Sequence, residues 1–409
     1  MMIEEQTKIT CIENGSVISP PGFQVAGLHS GVKKARNDLG VLYSEKLTNA
    51  AAVYTLNQIQ AAPIAVTKES MHVEHKLQAI VINSGNANAC TGKQGEEDAY
   101  MMQHLTAKKL SLPAHHVAVA STGVIGVHMP MSKIAPHIDL LSIGKTKEHV
   151  AQFEESLLTT DTFTKSACYQ AEIGGNTITI GGAAKGSGMV KPNMGTILSF
   201  ITTDAAIESE FLQMALKEAT DKTFNCITVD GDTSTNDMVI VLANGLAEND
   251  TLTPEHPDWK VFMELLTKTC EDLSQQIARD GEGATKLVEV EVIGAKTNED
   301  AVKIAKAIVS SSLVKTAIFG KDANWGRIIA AIGYSGVEIN PHTIDAMIGP
   351  ISILQNSEPM AFSEEEINTY FENDTVKILI DLQLGDAKGK AWGCDLTYDY
   401  VRINASYRT

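Results

Sequence analysis

The sequence has no excess of basic charge: 33 lysines and arginines stand against 50 aspartates and glutamates, a formal net charge of −17. Nucleic-acid binding calls for clustered Lys and Arg, so that class is set aside. No Cys-x-x-Cys pair occurs; Cys11, Cys90, Cys168, Cys226, Cys270 and Cys394 are scattered along 409 residues. Scattered thiols in a chain this long predict a reducing compartment rather than a disulfide framework. No apolar run reaches the length of a membrane span, and the opening MMIEEQTKITC is too polar and acidic for a signal peptide. A soluble, cytoplasmic protein is the expectation. Repeats, low-complexity tracts and linker-like stretches are also missing. The acidic run DGDTSTND at 230–237 lacks the pattern of a calcium loop. Thr235 and Val241 stand where such a loop needs glycine and glutamate.

What is present is a hydrophobic content of 44% with 20% charged residues, ordinary for a globular chain with a large core. Strands are expected at 40–43, 79–82, 117–120, 197–201, 224–229, 286–293 and 376–384, from β-prone or alternating runs. Helices are expected at 94–110, 147–158, 206–221, 259–279 and 300–313 from apolar spacing. The helix at 206–221 would be capped by Thr202-Thr203-Asp204-Ala205 and would bury Phe211, Met214, Ala215 and Ala219. Cys270 reads as core. Residues 319–327, FGKDANWGR, read as a polar loop. The apolar-interleaved end YVRINASYRT reads as tied down where most termini fray.

The chain is organised around residues 188–205, GMVKPNMGTILSFITTDA. A glycine-rich approach delivers the Gly195-Thr196 bond to the first residue of an apolar, β-prone run. Glycine before the threonine permits backbone geometry other residues resist, so the Thr196 hydroxyl could approach the Gly195 carbonyl. Attack there would cut the chain and free a Thr196 α-amine able to act as its own general base. A plain turn into a strand accounts for the same residues.

Other segments carry comparable alternatives. NSGNANACTG at 83–92 either presents backbone N–H groups to an anion or is a tight strand-to-helix connection. Ser121-Thr122-Gly123, at a strand end, offers a hydroxyl and a backbone N–H suited to an oxyanion. Asp161 reads as a cap or turn residue. Lys185 is a carboxylate partner or a solvated loop lysine, and Glu282, a lone carboxylate between two glycines, reads as a solvated loop residue.

Five segments in order, NSGNANACTG, STGVIG, KPNMGT, DGEGATK and INASYRT, resemble the ornithine acetyltransferase (glutamate N-acetyltransferase) family of arginine biosynthesis. The resemblance spans essentially the whole chain, with Gly195 where alanine is usual. It implies an α+β fold with a layered α/β/β/α core of the self-cleaving N-terminal-nucleophile type and a smaller C-terminal α/β domain. It implies an alpha chain of 1–195 and a beta chain of 196–409, with 285–409 a C-terminal subdomain, assembled as two of each. Thr196 would carry acetyl from N-acetylornithine to glutamate, and Thr122 and Gly123 would form the oxyanion hole. Thr162, Lys185, Glu282, Asn404 and Thr409 would bind substrate, Glu282 close to the catalytic centre. The acyl group would ride on threonine without a metal or organic cofactor, and DGDTSTND would form part of the site wall. Some members of the family also use acetyl-CoA, and no residue here decides that point. Two other readings stay open: an N-terminal-nucleophile aminopeptidase or amidase that releases acyl groups to water, and a non-catalytic amino-acid-binding protein.

Overall fold

The computed structural model describes residues 9–191 and 197–406. Gly195, Thr196 and Thr409 lie outside the described residues. Strands β1 (Thr10–Cys11), β2 (Phe23–Leu28) and β3 (Leu39–Tyr54) open the chain. Helix α1 (Ala62–Glu74), strand β4 (Lys76–Asn86), helix α2 (Gly92–Leu110) and strand β5 (Val117–Val124) follow. Helices α3 (Met131–Ile138) and α4 (Lys147–Leu157) lead to β6 (Lys165–Ile173), β7 (Asn176–Lys185) and β8 (Leu198–Thr203). Helix α5 (Ser209–Lys222), strand β9 (Met238–Ala243) and helix α6 (Trp259–Arg279) complete this unit.

Among the described residues these nine strands form one sheet, ordered β1-β6-β7-β8-β9-β3-β4-β5, with β2 also paired to β3. The long strand β3 is its pivot. Its first part pairs with β2 and β4, its last part (49–54) with β9, and its register on β4 shifts between Tyr43 and Thr48. Such a shift bends a strand and increases its twist. The two halves of the sheet then share a core: Leu42, Ile80, Ile82 and Ala120 from one half, Leu198, Phe200, Ile240 and Leu242 from the other.

Alternation along each strand supplies the outer faces. Val81 and Val119 pack with Met102 of α2 and Ile134 of α3. Ile201 and Val241 pack with Leu216 of α5 and Phe262 and Leu266 of α6. The expected α/β/β/α layering is present, and its two β layers are halves of one folded sheet.

The remaining chain builds a second core. Strand β10 (Leu287–Ala295) is followed by helices α7 (Asn298–Ser310), α8 (Ser312–Phe319) and α9 (Gly326–Gly333). Strands β11 (Asp345–Ile348), β12 (Ile351–Gln355) and β13 (Glu358–Pro359), helix α10 (Glu364–Tyr370), and strands β14 (Thr375–Asp381) and β15 (Ala387–Cys394) follow. They form a sheet ordered β13-β12-β11-β14-β10-β15. Its core runs from Val288 to Ala391 and is distinct from those of the first unit. Helix α11 (Tyr398–Ser406) then returns toward the first unit, where Asn404 meets Glu282.

Several expectations from the sequence are corrected. Thr202 and Thr203 belong to β8, and Asp204 accepts a hydrogen bond from the Thr179 N–H, so none of them caps α5. That helix buries Leu212, Ala215, Leu216 and Ala219, while Met214 is 43% exposed. Residues 224–226 form a 3-10 turn, and Ile227 makes only an isolated bridge to Trp392. The helix expected at 300–313 breaks at Ser311, whose hydroxyl accepts from the Val314 N–H and starts α8. Within 319–327 only the middle is loop, because α9 begins at Gly326. The terminal helix is held by the Asn404–Glu282 hydrogen bond and an edge-to-face contact of Tyr398 with Phe319, with Tyr398 81% and Val401 65% exposed.

Phe200, fully buried where the two sheet halves meet, carries a direct test. Phe200→Ala should cost about 3–5 kcal/mol, read as a lower denaturation midpoint; an unchanged midpoint would contradict the shared core.

Candidate active site

The site begins where β4 and β5 end side by side. Their parallel register pairs Gly85 with Gly123, both at positive φ, +97° and +133°. A Cβ on Gly123 would lie 2.3 Å from the Gly85 carbonyl carbon, so only glycine lets the strands approach this closely. Strand β5 runs on through Ser121, Thr122 and Gly123, so the Ser-Thr-Gly lies inside the strand's last turn of pairing and not beyond its end.

Residues 83–92 support this strand end. Ser121 donates to the Asn83 side chain at 2.6 Å, and Asn86 donates to the carbonyls of Val127 and His128. Asn88 and Cys90 adopt left-handed backbone, and the Asn88 side chain bonds Gly95 and Thr91. The asparagines are spent on local hydrogen bonds, as a tight strand-to-helix connection requires. From the DGDTSTND segment, Asn236 donates to the Ala87 and Ser121 carbonyls at 2.5 and 2.8 Å. Asp230 accepts from the N–H groups of Met189 and Val190. This segment walls the site through side-chain to backbone bonds.

Beneath it lies a buried charge cluster. The Lys165 ammonium, with no exposed side-chain surface, sits 2.8 Å from Asp161 and 2.5 Å from Asp280. Burial opposes the charge of Asp161. The ammonium of Lys165, then that of Lys185, and hydrogen bonds from Lys165 and the Thr159 N–H nevertheless hold its carboxyl well below the usual range. Asp161 also accepts from the Gly186 N–H at 2.8 Å. The Ser187 hydroxyl donates to the Asp280 carbonyl, and the Glu282 N–H donates to the Ser187 carbonyl. The cluster therefore sets the path of 186–188 and the position of Glu282.

A cavity of about 210 Å3 collects the candidates: Thr122, Gly123, Lys185, Glu282 and Asn404 all line it, with Ile197 and Leu198. The Lys185 Nζ donates to the Thr122 hydroxyl oxygen at 3.3 Å. The Asn404 amide donates to Glu282 at 2.7 Å, and a Cβ on Gly188 would fall 2.4 Å from that carboxylate. Thr162 is elsewhere: its N–H and hydroxyl both bond Asp280, and it lines a separate groove with Arg36 and Glu155. Its neighbours Thr159 and Thr160 line the cavity itself. Burial, and then the charges of Asp230 and Glu282, push the Tyr400 phenol up on the same wall.

Sequence reasoning missed the Lys165–Asp280 pairing and the part played by Asp237. Asp280 carried the outward signature of a helix end before glycine, which hides a buried partner more than a hundred residues away. Asp237 is 4% exposed, lines the cavity, and its Oδ2 has no hydrogen-bond partner among the described residues. Burial, offset only in part by a hydrogen bond from Ser234 and the charge of Lys185, pushes its carboxyl well above the usual range.

A raised folded-state pKa gives a definite sign. Asp237 supports folding fully below its unfolded value near 3.9, and this support is lost as pH rises through the folded value. Asp237→Asn should therefore gain melting temperature relative to the parent protein as pH is raised from about 4 to about 8. A gap between the two melting curves that does not change with pH would contradict the assignment.

Comparison with known proteins agrees with this architecture. The ArgJ family model matches residues 24–409. The arginine biosynthesis bifunctional protein ArgJ of Geobacillus kaustophilus is 60% identical over 406 residues, covering 99% of each chain. That of Geobacillus stearothermophilus is 59% identical over 410 residues, covering both chains in full. Among solved structures, arginine biosynthesis bifunctional protein argJ from Bacillus halodurans is 66% identical with a TM-score of 0.50, covering 51% of this chain and 98% of that one. Matched along nearly its whole length, the chain belongs to the ArgJ family and is an acyltransferase of arginine biosynthesis.

Proposed function

We propose that the protein transfers acetyl from N2-acetyl-L-ornithine to L-glutamate through an acetyl ester on Thr196, after cutting itself between Gly195 and Thr196. The observation that carries this reading is the cavity: Thr122, Gly123, Lys185, Glu282 and Asn404 converge beside Ile197, the residue that follows Thr196. In maturation the Thr196 hydroxyl attacks the Gly195 carbonyl. The peptide C–N bond breaks as an ester forms, and water then hydrolyses the ester to a Gly195 carboxylate and a free Thr196 amine. That amine, with an ordinary pKa of about 7.7–8.0, takes the hydroxyl proton in each catalytic cycle.

In turnover the Thr196 oxygen attacks the acetyl carbonyl of acetylornithine. The tetrahedral intermediate collapses with cleavage of the amide C–N bond, and the proton held by the amine passes to departing ornithine. The glutamate α-amine then attacks the ester and the steps run in reverse. Thr122 suits an oxyanion donor: Lys185 donates to its oxygen, which leaves the hydroxyl hydrogen to point at the developing charge. Lys185 adds a positive charge at the same point. Glu282, fixed by Asn404, suits the side-chain ammonium of acetylornithine. Thr162, which also bonds Asp280, and Thr409 complete the substrate contacts in this reading. No metal or organic cofactor takes part. Acetyl-CoA serves as a second acetyl donor in the proposal, in keeping with the relatives' description as bifunctional.

The cut leaves one folded body. Strands β8 and β9 of the second piece lie between β7 and β3 of the first, and both pieces contribute to the shared cores. The Bacillus halodurans chain matches 51% of this one, about the share that residues 196–409 represent. Assembly into two alpha and two beta pieces belongs to the same proposal.

The test is intact-mass analysis of denatured protein together with turnover of labelled acetylornithine. The protein should give two fragments meeting at Gly195 and Thr196, and Thr196→Ala a single inactive chain. Thr122→Val should remain cut while kcat falls by about 10²–10³. Label appearing in acetylglutamate supports transfer; label released only as acetate makes the protein a hydrolase and overturns the reading. An uncut, fully active chain overturns the mechanism.

A further inference from the structure

At the opposite end of β4 and β5 from the cavity, three side chains converge that the acyl-transfer chemistry does not use. Glu74 is the last residue of α1, two positions before β4 begins. His115 and His116 end a short 3-10 turn, directly before β5. Both imidazoles aim Nε2 at the same carboxylate oxygen: His116 lies 2.5 Å and His115 3.4 Å from Glu74 Oε1. The rings meet edge to face with centroids 4.4 Å apart. One ligand atom from each residue falls within 4.8 Å of the others.

We propose that Glu74, His115 and His116 form a binding site for a divalent transition-metal ion, of which Zn2+ is the representative. Two neutral imidazoles and one carboxylate are a donor set that Zn2+, Co2+ and Ni2+ favour over the hard, oxygen-loving Ca2+ and Mg2+. Tetrahedral Zn2+ with bonds of about 2.0–2.2 Å spaces its ligand atoms about 3.3–3.5 Å apart. The His115 to Glu74 separation already fits, and the His116 to Glu74 contact opens by about 1 Å on metallation. His115 and Glu74 keep 39% and 37% of their side-chain surface exposed, so an ion can enter from solvent and water can fill the fourth position. His116, 11% exposed, anchors the inner side. The hydrogen bond with His116 is the first cause that lowers the Glu74 carboxyl, and the nearby Lys76 cation adds to it.

The site has a structural consequence. Helix α1 is already fastened to β5 by reciprocal hydrogen bonds between the Thr67 hydroxyl and the Val119 backbone, both 2.8 Å. Gln103 of α2 bonds Ser70 and the Val117 carbonyl beside them. An ion shared by Glu74, His115 and His116 would tie the end of α1 to the start of the strand that carries Thr122 and Gly123. It would act on the stability of this corner and take no part in the reaction.

The experiment is metal titration of the full, mature protein after chelator treatment, with Zn2+ followed by isothermal calorimetry and Co2+ by visible spectroscopy. One equivalent should bind, and the melting temperature should rise with Zn2+ concentration. His115→Ala and Glu74→Gln, both at half-exposed positions, should each lose that equivalent and the thermal shift while retaining acetyl transfer. Parent-like Zn2+ stoichiometry in both variants overturns the site. So does thiolate charge transfer in the Co2+ spectrum, which would place the ion on Cys11 or Cys90, both exposed. An absence of binding at micromolar metal overturns it as well, leaving the cluster a hydrogen-bonded ion pair.

Discussion

The Lys165 ammonium, buried between Asp161 and Asp280, is the constraint on which the candidate site depends. Three charges removed from water carry a desolvation cost of several kcal/mol each, so the gain is positional. Asp161 directs Gly186, Asp280 receives Ser187, and Ser187 receives the Glu282 N–H. One cation thus ties the start of β6, the end of β7 and the end of α6 to a single geometry. Lys185 and Glu282 reach the cavity from the chain segments so fixed. Lys185 lends a second positive charge to the same field and helps keep Asp161 ionised.

The folded sheet does the rest of the positioning. Because β3 bends and pairs on both sides, β5 and β8 bring their ends to one cavity although their neighbours in the sheet differ. This arrangement suits a chain that is cut at the entrance to β8. The proposed cut would fall just before β8, a strand held on both sides by β7 and β9, so it would free a terminus without freeing a domain. Sheet hydrogen bonds and core packing on the strand that follows would limit the orientational freedom that an acyl-transfer centre must suppress.

Much of this was legible before the structure. Regular apolar spacing located α6 to its first and last residues, and the apolar run after Thr196 located β8. Where the reading failed, two patterns were locally equivalent. In α5 both Phe211-Met214-Ala215 and Leu212-Ala215-Leu216 have helical spacing, and packing against β3 and α6 selects the second. Three serines at 310–312 could as well lie within a helix as cap a new one. The strand ends at 83–86 and 121–124 looked like loops because small polar residues there pair with each other across the sheet. The charge cluster and Asp237 were invisible for a different reason. Burial of a carboxylate depends on partners far away in sequence, and no local pattern announces it. The resemblance to a family supplied Glu282, Lys185 and Asn404, while the structure supplied what holds them.

The proposed transfer depends most directly on an acetyl group carried by Thr196. The decisive measurement is the intact mass of the mature protein after exposure to N-acetylornithine alone, quenched in denaturant and mapped by peptide fragmentation. The expected result is one acetyl group on the fragment that begins with Thr196, at that residue, and its loss when glutamate is added before quenching. Turnover without an acetylated fragment, or acetylation at any other residue, would contradict it.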